Sequence, residues 1–186
     1  MITIRQEKPT DAGARERLLD AAYGPVRFTK PSQQLREGQA PAAGLSFVAG
    51  EDGRVVGTVR LWPVAAGAGR QALLLGPLAV DPAYRNRGIG SALMRRALSD
   101  ARRRRHRAVL LVGDAPYYGR FGFSAEKTGG LWLPGPYEAH RLLGHELAAG
   151  ALDGARGLIR VPRNATRKPA FGLAPLPVAA RSAQPA

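Results

Sequence analysis

Residues Leu73 to Leu93 read LLLGPLAVDPAYRNRGIGSAL: an apolar run, a short turn, a basic loop and the beginning of a helix. The apolar run predicts a strand from Gln71 to Val80, which Asp81-Pro82 ends because proline cannot donate a hydrogen bond to a strand ladder. The first backbone N–H groups of a helix have no partner inside it, and the helix dipole places partial positive charge there. This stretch therefore predicts a site for phosphate or pyrophosphate.

The basic loop has the composition of an anion-binding loop. Gly88 and Gly90 lack a Cβ atom, so a phosphate can approach the backbone closely, and Arg85 and Arg87 add positive charge around it. We expect the whole loop and the first turn of the helix to hold the anion. These residues are Arg85, Asn86, Arg87, Gly88, Ile89, Gly90 and Ser91.

Two other phosphate-binding loops fit this segment poorly. The dinucleotide fingerprint G-x-G-x-x-G requires a third glycine where Leu93 stands, and it requires an acidic residue about twenty positions further on that is absent here. A P-loop requires a lysine after its last glycine, and no lysine follows Gly88 or Gly90. By spacing, both alternatives are poor fits.

Composition limits the classes of function. The 186 residues contain no cysteine, which excludes disulfides, thiolate metal sites and a cysteine nucleophile. The three histidines, His106, His140 and His145, lack the spacing of metal ligands, so no metal is expected. The first residues lack the layout of a secretion signal and no apolar run could span a membrane, so we expect a cytoplasmic protein without a membrane segment.

The formal net charge of +14 raises the alternative of a basic protein that associates with nucleic acid. Most of the basic residues are arginines in a chain rich in Ala, Gly and Pro, and codon bias is one explanation for many of them. The run from Arg102 to Arg107 has three readings: a solvated helix end, a contact for a cofactor phosphate, or a nucleic-acid patch. It lacks interleaved aromatic residues, which argues against stacking on single strands. We do not expect a nucleic-acid partner.

The remaining elements follow from hydrophobic periodicity and turn residues. The turn at Asp52-Gly53 predicts a hairpin, and the strand-helix-strand order around the glycine loop predicts a parallel strand pair. The segment from Gly24 to Gly44 is expected to be irregular, with one short helix near Gln33 to Glu37. The expected strands are Ile2 to Arg5, Leu45 to Ala49, Val55 to Val64, Gln71 to Val80, Ala108 to Val112, Ala139 to Leu147 and Gly157 to Val161, with helices at Asp11 to Tyr23 and from Gly88 onward.

These elements predict one α/β domain, residues 1–162, built on a mixed sheet that is mostly antiparallel and flanked by helices. Residues 163–186 are rich in Pro and Ala, and we expect them to be disordered or loosely packed.

The glycine loop resembles the signature [QR]-x-x-G-x-[GA] of the GNAT superfamily of acyl-CoA-dependent N-acyltransferases, with Arg85, Gly88 and Gly90 at its defining positions. A second match lies downstream, where Tyr118 to Phe123 reads YGRFGF and resembles the family's Tyr-x-x-x-Gly-Phe. The resemblance covers roughly Ile2 to Val161. It extends to a bacterial subgroup of predicted N-acetyltransferases.

This resemblance implies a central parallel strand pair that splays apart around the pantetheine arm of acetyl-CoA, the cosubstrate. The strand residues Leu78, Ala79 and Val80 would pair with the pantetheine amides through their backbone. Tyr118 occupies the position of the family's general acid and is preferred to Tyr117 for that role, although either ring could instead pack beneath the cofactor.

The acceptor side of the reaction is less defined. The strand from Gln71 to Val80 contains no carboxylate, so no general base is assigned; the reserves are Glu51, Asp114, His140, His145 and Glu146. The family's acceptor pocket is built from variable loops, here Gly24 to Gly44 and Leu131 to Pro136. The function expected is transfer of an acetyl group from acetyl-CoA to a primary amine of a small molecule or protein, with an inactive acyl-CoA-binding module as the alternative. The oligomeric state is open, a homodimer included.

Overall fold

The computed structural model describes residues 1–163, 165 and 166. The strands are β1 (Thr3–Gln6), β2 (Ser46–Glu51), β3 (Arg54–Ala66), β4 (Arg70–Val80), β5 (Ala108–Val112), β6 (Leu131–Trp132), β7 (Leu142–Glu146) and β8 (Gly157–Arg160). The helices are α1 (Ala12–Tyr23), α2 (Pro31–Gln34), α3 (Ile89–Arg103) and α4 (Ala115–Tyr118). No helix in this part of the chain is both long and apolar enough to cross a bilayer.

The strands form one mixed sheet in the order β1-β2-β3-β4-β5-β7, with β8 paired to the far end of β3 and β6 paired to β8. The pairs β1-β2, β2-β3, β3-β4 and β5-β7 are antiparallel. Strands β4 and β5 are parallel, which confirms the arrangement predicted from the strand-helix-strand order. A second parallel pair, β6 with β8, spans two residues at the periphery.

The parallel pair β4-β5 is short. Only Leu73 with Val109 and Leu74 with Leu110 are paired, although both strands continue. Gly76-Pro77 follows immediately in β4, and proline has no N–H to offer a neighbouring strand. The register between β3 and β4 also shifts at this level, between Val59 and Leu61. Beyond Leu74, therefore, the edge of β4 that faces β5 is left open.

Both faces of the sheet are covered. On one face α3 packs through Leu93, Met94 and Ala97, which are fully buried, and the missing side chain of Gly57 in β3 lets α3 approach closely. On the other face α1 packs Leu18 against Ala79 of β4. A strand buried on both faces is apolar throughout rather than alternating. This explains the near-continuous apolar run of β4.

Several element boundaries differ by a few residues from the sequence expectations, and the short strand β6 was not expected. Helix α2 begins at Pro31, earlier than expected, because proline is favoured in the first turn. The strand expected from Ala139 begins at Leu142, after a 3₁₀ turn over Ala139–Arg141. Helix α3 ends at Arg103, inside the arginine run. The expectation for residues 163–186 falls almost entirely outside the described residues, of which it includes only 163, 165 and 166.

Candidate active site

The glycine loop places a set of unpaired backbone donors at the start of α3. Gly88 is the N-cap and has a left-handed conformation (φ 73°), which glycine adopts without strain. The Ala92 N–H donates to the Gly88 carbonyl at 3.0 Å, as the first α-helical bond of α3. The three N–H groups before it, those of Ile89, Gly90 and Ser91, therefore face out of the helix end. Their number and polarity fit a pyrophosphate.

The two arginines of this loop have different surroundings. Arg87 forms an ion pair with Glu51 (Nη2 to Oε1, 3.1 Å) and lies over the ring of Tyr84. The hydrogen bond from Arg87 lowers the pKa of Glu51, so this carboxylate is a weak base. Its ion pair with Arg87 holds it beside the glycine loop. Arg85 is exposed and has no ion pair with any residue that the structure describes. Its guanidinium is the free charge of the loop.

The open edge of β4 presents backbone groups toward the gap. The Asp81 N–H donates to Val56 of β3 at 2.9 Å. Backbone groups alternate in direction along a strand, so those of Val80 and Leu78 point away from β3, toward the gap. The Leu78 carbonyl accepts a hydrogen bond from the Tyr23 hydroxyl and retains a second lone pair. The edge is suited to pairing with an extended amide-containing chain.

A cavity of about 460 Å³ lies where β4 and β5 separate. Its walls are the ends of the two strands, residues 74–78 and 111–114, together with part of the 24–44 segment. Leu133 also contributes, so both loops expected to border an acceptor pocket reach this cavity.

The two adjacent tyrosines, Tyr117 and Tyr118, face different parts of the site. Tyr118 lines the cavity, and its ring packs directly on the backbone of Gly113, where a methyl group would lie 2.2 Å from Tyr118 Cε2. The Tyr117 hydroxyl lies beside the glycine loop, 3.0 Å from where a methyl group on Gly90 would stand. The two rings touch edge to face, with centroids 4.8 Å apart. Of these two tyrosines, only Tyr118 faces the gap between β4 and β5.

Burial raises the pKa of Tyr118 above its ordinary value near 10, so its hydroxyl is protonated throughout the physiological pH range. No described residue accepts a hydrogen bond from this hydroxyl. The proton is therefore available to a group that enters the cavity.

The candidate general bases named from the sequence do not lie together in the structure. Asp114 lines the cavity but is ion-paired with Arg141 at 3.0 Å. His145 contacts the Gly122 carbonyl through Nδ1 at 3.0 Å, outside the cavity, and Glu146 accepts a hydrogen bond from the Leu152 N–H. His140 is exposed on the 3₁₀ turn that precedes β7. Within the described ranges no group of three His, Asp or Glu side chains could hold a metal.

Part of the arginine run lines a second depression, a groove of about 530 Å³ along the outer face of α3. Arg102 and Arg103 border it together with Arg95 and Arg120. Arg103 is also paired with Asp100 on the same helix. The helix-end and cofactor-phosphate readings of the run are both compatible with this position.

Sequence reasoning missed three features of the cavity. Gly76-Pro77 inside an apolar strand is a readable signal for the strand separation. Tyr23 and Arg36, which reach the cavity from α1 and the irregular segment, carry no signal in the local pattern, because only the tertiary fold brings them to β4.

Comparison with known proteins identifies the family. The model of the acetyltransferase (GNAT) family matches residues 14–123. The chain is 34% identical over 160 residues to the uncharacterized N-acetyltransferase YhbS of Escherichia coli strain K12, covering 84% of this chain and 93% of that protein. The chain belongs to the GNAT family of acetyltransferases, which confirms the resemblance drawn from its two motifs.

Two solved structures support the same assignment. The structure of YhbS from Escherichia coli in complex with CoA has a TM-score of 0.74 and 32% identity, covering 87% of this chain and 89% of that one. A GNAT family acetyltransferase from Brucella melitensis in complex with acetyl-CoA has a TM-score of 0.59 and 33% identity, covering 82% and 99%. The predicted fold class, a mixed sheet with a central parallel pair, is confirmed by this similarity.

Proposed function

We propose that this protein transfers the acetyl group of acetyl-CoA to a primary amine by direct attack of the amine on the thioester. The observation that carries the proposal is the continuous path formed by the donors at the start of α3, the open edge of β4 and the Tyr118 hydroxyl. That path matches the order of pyrophosphate, pantetheine and thioester along the cofactor. The two similar structures were solved with CoA and with acetyl-CoA bound, which supports the choice of cosubstrate.

The protein would bind the cofactor mainly through main-chain N–H and C=O groups. The N–H groups of Ile89, Gly90 and Ser91 would hold the pyrophosphate, with the charge of Arg85 beside them. The backbone groups of Leu78 and Val80 would pair with the pantetheine amides. Because these are main-chain contacts, the glycines of the loop should matter more than its side chains.

The chemistry is a substitution at the acyl carbon. When bound, acetyl-CoA supplies a thioester carbonyl that an amine can attack. The C–N bond forms, the C–S bond breaks, and the electron pair leaves on sulfur. Tyr118, held protonated by burial, would donate its proton to that sulfur.

The acceptor nitrogen must lose a proton before it attacks. Both carboxylates of the cavity, Asp114 and Glu138, are paired with Arg141, so neither is assigned as a base. Lys30 and Arg36, which have no carboxylate partner among the described residues, line the same cavity, and nearby positive charge lowers the pKa of a bound ammonium group. The site itself thus favours the neutral amine, and its proton can leave to water.

An inactive acyl-CoA-binding module is the competing candidate, since no base is assigned. Thiol release from acetyl-CoA in the presence of varied amines separates the two, with Tyr118→Phe as the diagnostic variant. We expect the variant to bind acetyl-CoA as wild type does and to lose kcat by about 10²- to 10⁴-fold, the usual contribution of a positioned acid. Cofactor binding without thiol release by wild type, for every amine offered, would rule out the enzymatic proposal.

A further inference from the structure

Arg36 is a buried charge in the wall of the cavity. Only 8% of the residue is exposed, and it borders Gly76 of β4, where a methyl group would lie 3.6 Å from Arg36 Nη1. Its Nη2 donates to Gln33 Oε1 at 3.2 Å, and its buried Nε has no hydrogen-bond partner among the described residues. The guanidinium therefore has donors that the described protein leaves unused.

The other cavity arginines are neutralised. Arg27 pairs with Glu16 at 2.7 Å and with Asp20 at 2.9 Å, and Arg141 pairs with Asp114 and Glu138. Arg36 has no carboxylate partner in residues 1–163, 165 or 166.

Lys30, also in the wall, has no carboxylate partner in the same ranges. Burial lowers the pKa of Arg36 to about 10, which leaves it charged at neutral pH. An unpaired buried cation is unfavourable for folding, so its position calls for an anion from outside the chain.

The cofactor does not provide that anion at this position. Val80 marks the pyrophosphate end of β4, because its side chain lies beside Gly90. Gly76 is four residues further from that end, which is about 13 Å at roughly 3.3 Å per residue. Arg36 thus lies at the level of the thioester or beyond it, where the acceptor enters.

We propose that the acceptor amine carries an anionic oxygen group, carboxylate or phosphate, and that Arg36 binds this group with Lys30 as a second cation. The inference rests on the proposed acetyl transfer and narrows its substrate class. The Nη1 of Arg36, which borders Gly76 in the cavity wall, can donate a charge-assisted hydrogen bond to such a group. Neutral amines and polyamines are expected to be poor acceptors.

The test uses matched pairs of amines in a thiol-release assay with the full chain and acetyl-CoA. The carboxylate pair is β-alanine with β-alaninamide, and the phosphate pair is O-phosphoethanolamine with ethanolamine. We expect wild type to prefer the anionic member of at least one pair by about 10- to 100-fold in kcat/KM, the usual effect of a charged hydrogen bond. The pair with the larger ratio identifies the anion.

Three variants assign this preference to Arg36. Arg36→Gln should abolish it, Arg36→Lys should retain part of it, and the control Arg27→Gln should leave it intact because Arg27 is already neutralised by two carboxylates. Arg36→Gln should not lower the melting temperature, since it removes an unpaired buried charge. Equal use of both members of each pair by wild type, or a preference that survives Arg36→Gln, would overturn the proposal.

A binding measurement separates this inference from the proposed function. Calorimetry on the CoA-saturated protein compares N-acetyl-β-alanine with N-acetyl-β-alaninamide, and N-acetylated phosphoethanolamine with N-acetylethanolamine, in wild type and Arg36→Gln. If no amine releases thiol but wild type binds an anionic compound more tightly and Arg36→Gln does not, acetyl transfer fails and the anion site stands. If thiol is released but neither measurement detects an anion preference, acetyl transfer stands and the anion site fails.

Discussion

The contact between Gly113 and Tyr118 allows the role of Tyr118 to be tested without removing its hydroxyl. In Gly113→Ala the new methyl group would lie 2.2 Å from Cε2 and 2.7 Å from Cδ2 of the Tyr118 ring. Carbon atoms pack at about 3.5 to 4.0 Å, so the ring must retreat by roughly 1.5 Å. A displacement of about 1 Å from reactive geometry can reduce the rate about 100-fold.

We therefore expect Gly113→Ala to lose about two orders of magnitude in kcat while its affinity for acetyl-CoA changes little. The glycine loop that is proposed to bind the pyrophosphate belongs to a different part of the site. Overpacking of this kind destabilises a protein by about 1 to 3 kcal/mol, so melting curves must first establish that the assay temperature lies below the transition. Thiol release gives kcat, and calorimetry gives the dissociation constant.

Gly119→Ala is the matched control, since it also neighbours Tyr118. A methyl group there meets no atom within 4 Å outside its chain neighbours, and the backbone is helical (φ −56°, ψ −34°). A double-mutant cycle completes the test: in a Tyr118→Phe background Gly113→Ala should add little, because the displaced ring no longer carries the hydroxyl. A full additional loss in that background, or wild-type kcat in Gly113→Ala with a visibly displaced ring, would refute the assignment.

Two further predictions concern the glycine loop and the N-terminal ion pair. Gly88→Ala and Gly53→Ala should each lose about 1 kcal/mol of stability, because both positions have φ between 70° and 80° with open space around them. Only Gly88→Ala should weaken acetyl-CoA binding in calorimetry, by about tenfold or more. Equal affinities for the two variants would contradict a backbone-bound pyrophosphate. The hydrogen bond from Arg5 lowers the pKa of Asp11 to about 2, below its value in the unfolded chain, so the pair stabilises the fold above about pH 4 and loses this effect as the pH falls through about 2. In urea denaturation Asp11→Asn should be less stable than wild type by roughly 1 to 2 kcal/mol at pH 7, and this difference should shrink toward pH 2; a constant difference would refute the linkage.

The fold was readable from the sequence where local pattern and tertiary structure agree. Local pattern alone predicts three elements: the apolar run of β4, the loop at Gly88 and the amphipathic helix α3. A strand buried on both faces must be apolar, and a helix on a sheet must be amphipathic. The hairpin at Asp52-Gly53 is specified by two residues, both of which adopt positive φ. Such local rules need no knowledge of distant contacts.

The acceptor side of the site could not be read in this way. Arg36 lies in an irregular segment, and its proposed role follows from its surroundings: it borders β4 in the cavity wall and has no carboxylate partner among the described residues. The pairing that distinguishes Arg27 and Arg141 from Arg36 depends on side chains brought together by the tertiary fold. Net charge records the number of cations but not which of them are neutralised.

A structure of the complex with acetyl-CoA would show whether the cofactor lies between β4 and β5 with its thioester at Tyr118. We expect pyrophosphate oxygens about 3 Å from the N–H groups of Ile89 to Ser91, pantetheine paired with the open edge of β4, and the sulfur within hydrogen-bond reach of the Tyr118 hydroxyl. A cofactor that lies outside the gap between β4 and β5, or a sulfur remote from Tyr118, would contradict this expectation.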